Sequence, residues 1–155
     1  MSVKCFSGPK LELEELDQEN PEHVYFVYQT RRHPDVAKWL FGRPPGSLYS
    51  HKDWLARNVP SRRLMYAARG KDIGRLVGYC HAKPDGDWVE LGFAVHPDFQ
   101  GHGYGGDMVE ALLAKVTREF PGKKVFLEVR ADNERALRLY EKHGFVRSMV
   151  RMERP

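Results

Sequence analysis

Apolar and polar positions alternate along residues 11–16, Leu-Glu-Leu-Glu-Glu-Leu, as they would in a half-exposed strand. The period then lengthens. Pro21 suits the first turn of a helix over residues 22–30, with Asn20 as its cap. Pro34, Gly42, Pro44, Pro45 and Gly46 predict loop for most of residues 33–50, with at most a short helix over 37–40. Ser50 is the candidate cap of a further helix reaching Asn58. Residues 64–69 and 75–82 flank the turn Lys71-Asp72-Ile73-Gly74 and read as a hairpin. A second turn, Pro84-Asp85-Gly86-Asp87, leads back into an apolar strand over 88–95. Val109, Leu112, Leu113, Val116 and Phe120 recur at three- and four-residue spacing and predict a helix over 108–120, stopped by Pro121-Gly122. A strand over 124–130, a helix over 133–143 ending at Gly144, and a last strand over 145–152 complete the pattern. Hairpins followed by strand–helix–strand–helix–strand predict a mixed sheet in an α+β domain.

A chain of 155 residues, 41% apolar and 30% charged, fits one globular domain with a proper core. No apolar run approaches the roughly 20 residues of a membrane span, and residues 1–16 lack a signal-peptide core. A cytoplasmic protein without a membrane partner is expected. The net charge of +4 would favour a polyanionic small ligand, but Lys and Arg are scattered rather than gathered in a stripe, so no nucleic-acid partner is expected. Cys5 and Cys80 are too few for a disulfide framework and have no metal-type spacing, and unpaired thiols are expected. No pair of histidines has zinc-ligand spacing, so no metal is expected.

The candidate chemistry begins with Gln100-Gly101-His102-Gly103-Tyr104-Gly105-Gly106, between an apolar strand and an amphipathic helix. Three readings compete. Gly101 to Gly106 satisfies the G-x-G-x-x-G dinucleotide fingerprint, but His96-Pro97-Asp98-Phe99-Gln100 separates it from the strand. Its place two-thirds along the chain also leaves no room for the second half of a doubly wound sheet. A purely structural turn would need fewer glycines. The third reading is a pyrophosphate cradle: glycine lets the backbone approach a phosphate, and the first N–H groups of a helix have no internal partner.

Gln100-x-x-Gly103-x-Gly105 resembles the Q/R-x-x-G-x-G/A signature of the GCN5-related N-acetyltransferase (GNAT) superfamily. Glu90-Leu91-Gly92-Phe93-Ala94-Val95-His96-Pro97-Asp98 resembles that superfamily's splayed central strand. Leu127-Glu128-Val129-Arg130-Ala131-Asp132-Asn133, then Ala136, then Leu139-Tyr140-Glu141-Lys142-His143-Gly144-Phe145 extend the match in order and spacing over about residues 63–147.

The resemblance implies one acyltransferase domain over residues 1–155, with a mostly antiparallel sheet of six to seven strands, a splayed central parallel pair and about four flanking helices. It implies acetyl-CoA as co-substrate, lying between the strands that end at Val95 and Arg130. The backbone of Phe93, Ala94 and Val95 would meet the acetyl group and pantetheine. Gln100, Gly101, His102, Gly103, Tyr104, Gly105 and Gly106 would hold the pyrophosphate, and Asn133 the pantetheine, or else cap its helix, or both.

A primary amine with pKa near 10 is protonated at neutral pH, so a base must take its proton before it attacks the thioester. A backbone N–H near Val95 would stabilise the oxyanion. Tyr140 occupies the position where many family members place the acid that serves the leaving thiolate, though a core tyrosine is the plainer reading. Glu128 matches the base of ribosomal-protein N-terminal acetyltransferases, while Glu90 sits where other members place a base acting through water. Spacing leaves both open. His96 and His102 are expected to be positional. Residues 31–40, Arg31-Arg32-His33-Pro34-Asp35-Val36-Ala37-Lys38-Trp39-Leu40, are similar to acetyltransferases of nucleotide-linked 4-amino sugars in pseudaminic acid synthesis. Arg31, Arg32 and Arg43 could then meet a diphosphate or simply form an exposed basic loop. A small amine, a peptide N-terminus and a non-catalytic CoA-sensing role remain open, as do monomer and homodimer.

Overall fold

The computed structural model describes residues 10–59 and 63–154. Five strands form one sheet in chain order: β1 (Leu11–Glu15), β2 (Leu64–Gly70), β3 (Arg75–Asp85), β4 (Trp88–Val95) and β5 (Lys124–Phe126). All neighbours are antiparallel except β4 and β5, which run parallel. The helices are α1 (Pro21–Arg32), α2 (Pro34–Ala37), α3 (Leu48–Asn58), α4 (Tyr104–Glu119) and α5 (Glu134–Lys142).

The period-2 segments become strands because both faces of the sheet are covered. Val77, Cys80, Val89, Leu91, Met108, Leu112 and Val116 pack α4 against one face. Val24, Val27, Leu55, Met65, Ala67, Leu76 and Tyr79 pack α1 and α3 against the other. Gly86, with φ +59, stands first in the two-residue turn between Asp85 and Trp88, where a primed hairpin turn requires positive φ. Gly78 is fixed by crowding. A Cβ there would lie 2.4 Å from the Ala94 carbonyl oxygen and 2.8 Å from Met108 Cε.

Asn20 caps α1 through a bond to the Glu22 N–H, with Pro21 in the first turn. Four expectations need correction. The cap of α3 is Ser47, not Ser50; Ser50 stands three residues inside and returns the bond, a capping box. The short helix lies at Pro34–Ala37 rather than 37–40, because His33 accepts from the Asp35 N–H and Pro34 follows it. Helix α4 begins at Tyr104, one turn before its apolar periodicity becomes visible.

The mixed, mostly antiparallel sheet with one parallel pair is as expected, and the largest correction concerns the last strands: among the described residues the sheet has five strands, not six or seven. Strand β5 ends at Phe126 instead of Arg130, and residues 145–152 form no strand. Val146, Met149, Val150 and Met152 are exposed. Once β5 leaves the ladder after three residues, it offers no edge for a following segment to join. Cys80 is a buried free thiol, which burial pushes to higher pKa; Cys5 lies outside the described residues. Among the described residues no helix is long and apolar enough to cross a membrane.

Candidate active site

The cleft arises where β4 and β5 part. The parallel ladder holds at Trp88, Val89 and Glu90 and stops there, while β4 continues to Val95. Beyond that point Leu91, Gly92, Phe93, Ala94 and Val95 form one wall, and Leu127, Glu128, Val129 and Arg130 form the other, around about 1280 Å³. Alternation along β4 decides which backbone groups face the opening. The His96 N–H bonds back to the Val77 carbonyl, and the Ala94 carbonyl points at Gly78. Phe93 and Val95 therefore direct their N–H groups to the open edge, while those of Ala94 serve the ladder with β3. This narrows the expectation for Phe93, Ala94 and Val95: only two of the three can offer main-chain donors.

The cleft continues to the N-terminus of α4. Gly101 and Gly103 have φ +83 and +86, a conformation that costs other residues roughly 1–2 kcal/mol, and Gly103 caps the helix without a side-chain bond. Gly105 and Gly106 serve a different purpose. Cβ atoms on them would meet Leu139 at 3.3 Å and His143 at 3.2 Å, so these two glycines let α5 approach α4. The run thus combines a backbone cradle with close helix packing. Asp107 in the first turn accepts from the Lys10 N–H at 2.6 Å, and the Tyr104 hydroxyl donates to Asp72 at 2.6 Å, tying the start of α4 to the sheet. Tyr104 is buried, with its hydroxyl committed to Asp72.

Gln100 donates from Nε2 to the Val95 carbonyl at 3.0 Å and accepts from Arg135 at 3.0 Å. It secures the end of β4 rather than projecting freely. His102 departs from the group: it lies on an outer groove with Lys10 and Asp72, and its carbonyl accepts from Lys10 Nζ at 2.9 Å. Asn133 lines the cleft and caps α5, its oxygen accepting from the Ala136 N–H at 3.3 Å, which leaves its NH2 group for other partners. Arg135, Arg138 and Lys142 also line the cleft. Sequence reasoning missed them because a basic stripe on an exposed helix is ordinarily a solvated face.

The model of the acetyltransferase (GNAT) family matches residues 13–145. The chain belongs to that family. The N-alpha-acetyltransferase RimI of Mycobacterium tuberculosis is 37% identical over 83 residues, 50% of this chain and 50% of that protein. The chain therefore spans about half the length of this curated relative in the match. The structure of spermidine N-acetyltransferase from Vibrio cholerae with CoA and spermine superposes with a TM-score of 0.80, at 18% identity, over 90% of this chain and 83% of that one. RimL, a ribosomal L7/L12 alpha-N-protein acetyltransferase in complex with CoA, gives a TM-score of 0.75 at 18% identity, over 90% and 81%. At such identities these structures speak for the fold alone.

Within this GNAT fold, Tyr140, Glu90 and Glu128 all line the cleft. Tyr140 packs against Phe93 and Phe145, ring centroids 5.8 and 5.9 Å away, and burial pushes its phenol up to about 12. The phenol is fully protonated at neutral pH, and among the described residues its hydroxyl makes no hydrogen bond. Glu90 is half-buried with the positive Arg63 nearby, whereas Glu128 is exposed on the opposite wall.

The α1–α3 side of the opening holds Arg31 and Trp39, from the segment over 31–40 already singled out, together with Trp54, Arg63, Tyr79 and His81. His81 lies over Gly92, whose Cβ would fall 2.2 Å from the imidazole, and burial pushes its pKa down to about 4. The pairing of His81 with Gly92, one strand apart, is the only signal that could have found it, and it requires the register. His96 accepts from the Asp98 N–H and caps the short turn Pro97–Phe99. Arg32 donates to the Tyr28 hydroxyl at 2.7 Å. Arg43 is exposed and absent from the cleft lining. Among the described residues, no three His, Cys, Asp or Glu side chains are grouped to hold a metal ion.

Proposed function

We propose that this chain is an acetyl-CoA-dependent N-acetyltransferase that moves an acetyl group to a primary amine by direct attack. The observation that carries this reading is the opening of β4 from β5, which runs from two unpaired strand N–H groups to a glycine-capped helix N-terminus. Those are the donors that a thioester arm and a diphosphate require. Solved relatives in complex with CoA support the same use of the fold.

In this reading Gly101, Gly103 and the first turn of α4 hold the diphosphate, with Arg135 beside them. Phe93 and Val95 bind the pantetheine arm and the acetyl carbonyl through main-chain N–H groups, and the NH2 of Asn133 faces the same arm. Glu90 or Glu128 takes the proton of the amine, directly or through water. The amine nitrogen bonds to the carbonyl carbon, the C–S bond breaks, and the sulfur leaves with a hydrogen bond or proton from Tyr140. The high pKa of Tyr140 favours hydrogen-bond donation, since full transfer to a thiolate of pKa about 8.5 is uphill unless the dry surroundings raise the thiolate too. A small amine, among them amino sugars carried on a nucleotide, is the acceptor we favour. The local identity to RimI favours a second reading, a peptide N-terminal amine as acceptor.

Calorimetry with CoA, followed by thiol release from acetyl-CoA across amino sugars, polyamines and peptides, tests both. Failure to bind CoA at millimolar concentration sinks the transfer reading. Binding without turnover of any amine would favour a CoA sensor.

A further inference from the structure

The α1–α3 side of the cleft contains a buried cation whose partners among the described residues are neutral groups. Arg31, in the last turn of α1, lines the cleft and is 8% exposed. Its guanidinium carbon stands 3.7 Å from the centroid of the Trp54 ring. Nη1 lies 3.3 Å from Nδ1 of His51, whose Nε2 lies 3.1 Å from the Val24 carbonyl. A carbonyl can only accept, so Nε2 carries the proton and Nδ1 accepts from Arg31. Burial, followed by the charge of Arg31, pushes the His51 pKa down to about 4, so the ring is neutral. Tyr79 beside Arg31 is neutral as well, its phenol pushed up to about 12 by burial.

Among the described residues, no carboxylate pairs with Arg31. Asp35, on the same wall, is matched by Lys38 at 3.8 Å, and Glu90 lies near Arg63. A guanidinium withdrawn from water without an anion loses hydration that nothing of opposite charge replaces. Its planar fork matches an oxyacid with two parallel bonds, and stacking on Trp54 fixes the fork's plane. The place is also right. Tyr79 pairs across the ladder with Ala94, so Arg31 sits one strand from the open edge of β4.

We propose that Arg31 is an anion-binding subsite for the acceptor: the amine that this chain acetylates carries a carboxylate or phosphate group, which the Arg31 fork grips while Trp54 holds it in plane. The assignment rests on the transfer reading above and narrows it. A polyamine, which bears only positive charge, is the acceptor that such a subsite rejects.

The test uses matched acceptors: glucosamine 6-phosphate against glucosamine, 4-aminobutyrate against its amide, and spermidine, each assayed by thiol release from acetyl-CoA. The same compounds are titrated calorimetrically into the protein with and without CoA. The anionic member of at least one pair should be favoured in kcat/KM or affinity by roughly thirtyfold or more, the lower end for losing one partner of a desolvated charge pair. Which pair responds separates phosphate from carboxylate. Arg31→Gln should bring that ratio close to one, chiefly through KM, and Arg31→Lys should leave an intermediate ratio.

Preference for spermidine or the neutral members, or a ratio unchanged by Arg31→Gln, overturns the proposal. If Arg31→Gln does not fold, the wild-type ratios decide alone. Failure of wild-type protein to bind CoA counts against the transfer reading instead, and the titrations without CoA still read the subsite.

Discussion

The two ends of the cleft are built from different materials. At the α4 end the donors are backbone N–H groups, exposed because Gly101 and Gly103 take positive φ and β4 loses its neighbour after Glu90. At the α1–α3 end the polar groups are side chains, Arg31, His51, Trp54, Tyr79 and His81, drawn from two helices and a strand. Backbone donors ask for particular residues at particular spacings, so that end leaves a local signature. Side-chain sites need only end up adjacent, so the other end leaves no more than the short likeness over residues 31–40. One end suits a ligand common to a whole family; the other can change from protein to protein without disturbing the fold.

Substitution can break this division of labour, most sharply at the proposed reacting centre between the two ends. Replacing Tyr140 by Phe should lower kcat by roughly a hundredfold or more, the usual worth of a positioned acid, with the loss in kcat rather than in the KM for acetyl-CoA. Single-turnover thiol release would register this. An unchanged rate would return Tyr140 to the role of a core residue beneath Phe93 and Phe145.

Glu90→Gln and Glu128→Gln sharpen the comparison, because one carboxylate belongs to β4 and the other to the opposite wall. The base among them should lose about 10²-fold or more in kcat at neutral pH, and the other should change much less. Equal small effects in pH–rate profiles would remove both from the chemistry.

Gly103→Val probes the backbone end. A branched residue at φ +86 stores strain of roughly 1–3 kcal/mol, and CoA affinity measured by calorimetry should weaken by about tenfold. Acceptor selectivity, set at the other end, should remain. Loss of selectivity along with CoA affinity would mean that the two ends are not separable.

The last expected effect is on stability and leaves the chemistry aside. His51 and His81 have folded pKa values near 4, below the ordinary 6.5, so the unfolded chain binds more protons between those values. Stability should be full above pH 6.5 and fall progressively towards pH 4, with Tm dropping roughly 2–4 °C for each kcal/mol lost. Glu14 and Glu22, both bonded to Arg69, have depressed pKa values, and their contribution should disappear below about pH 4.5. His51→Gln should flatten the upper part of this decline. A thermal melt indifferent to pH between 6.5 and 5 would argue against buried neutral imidazoles.

Much of this was legible in the chain. Period 2 over residues 11–15 and period 3.6 in α4 carried the core, since a face buried against one neighbour imposes its repeat on the residues. Asn20, Asn133 and Gly86 declared their cap and turn through chemistry that acts within three residues. The glycine run announced that a helix would follow, though the apolar repeat placed its start four residues late. The failures share a cause. Val125, Leu127 and Val129 alternate as a strand should, and residues 145–152 are rich in apolar side chains, yet only Lys124–Phe126 found a partner. Alternation records which face is apolar, whereas strand formation needs a neighbouring edge.

The chain by itself thus determined the family, the order of its elements as far as α5 and the glycine run ahead of α4, because each depends on residues close together in sequence. Only the tertiary structure decided where β4 leaves β5, which of Phe93, Ala94 and Val95 turns its N–H outward, and that Arg31 lies buried among neutral partners. Those properties depend on register and on distances between segments tens of residues apart. No local pattern encodes them.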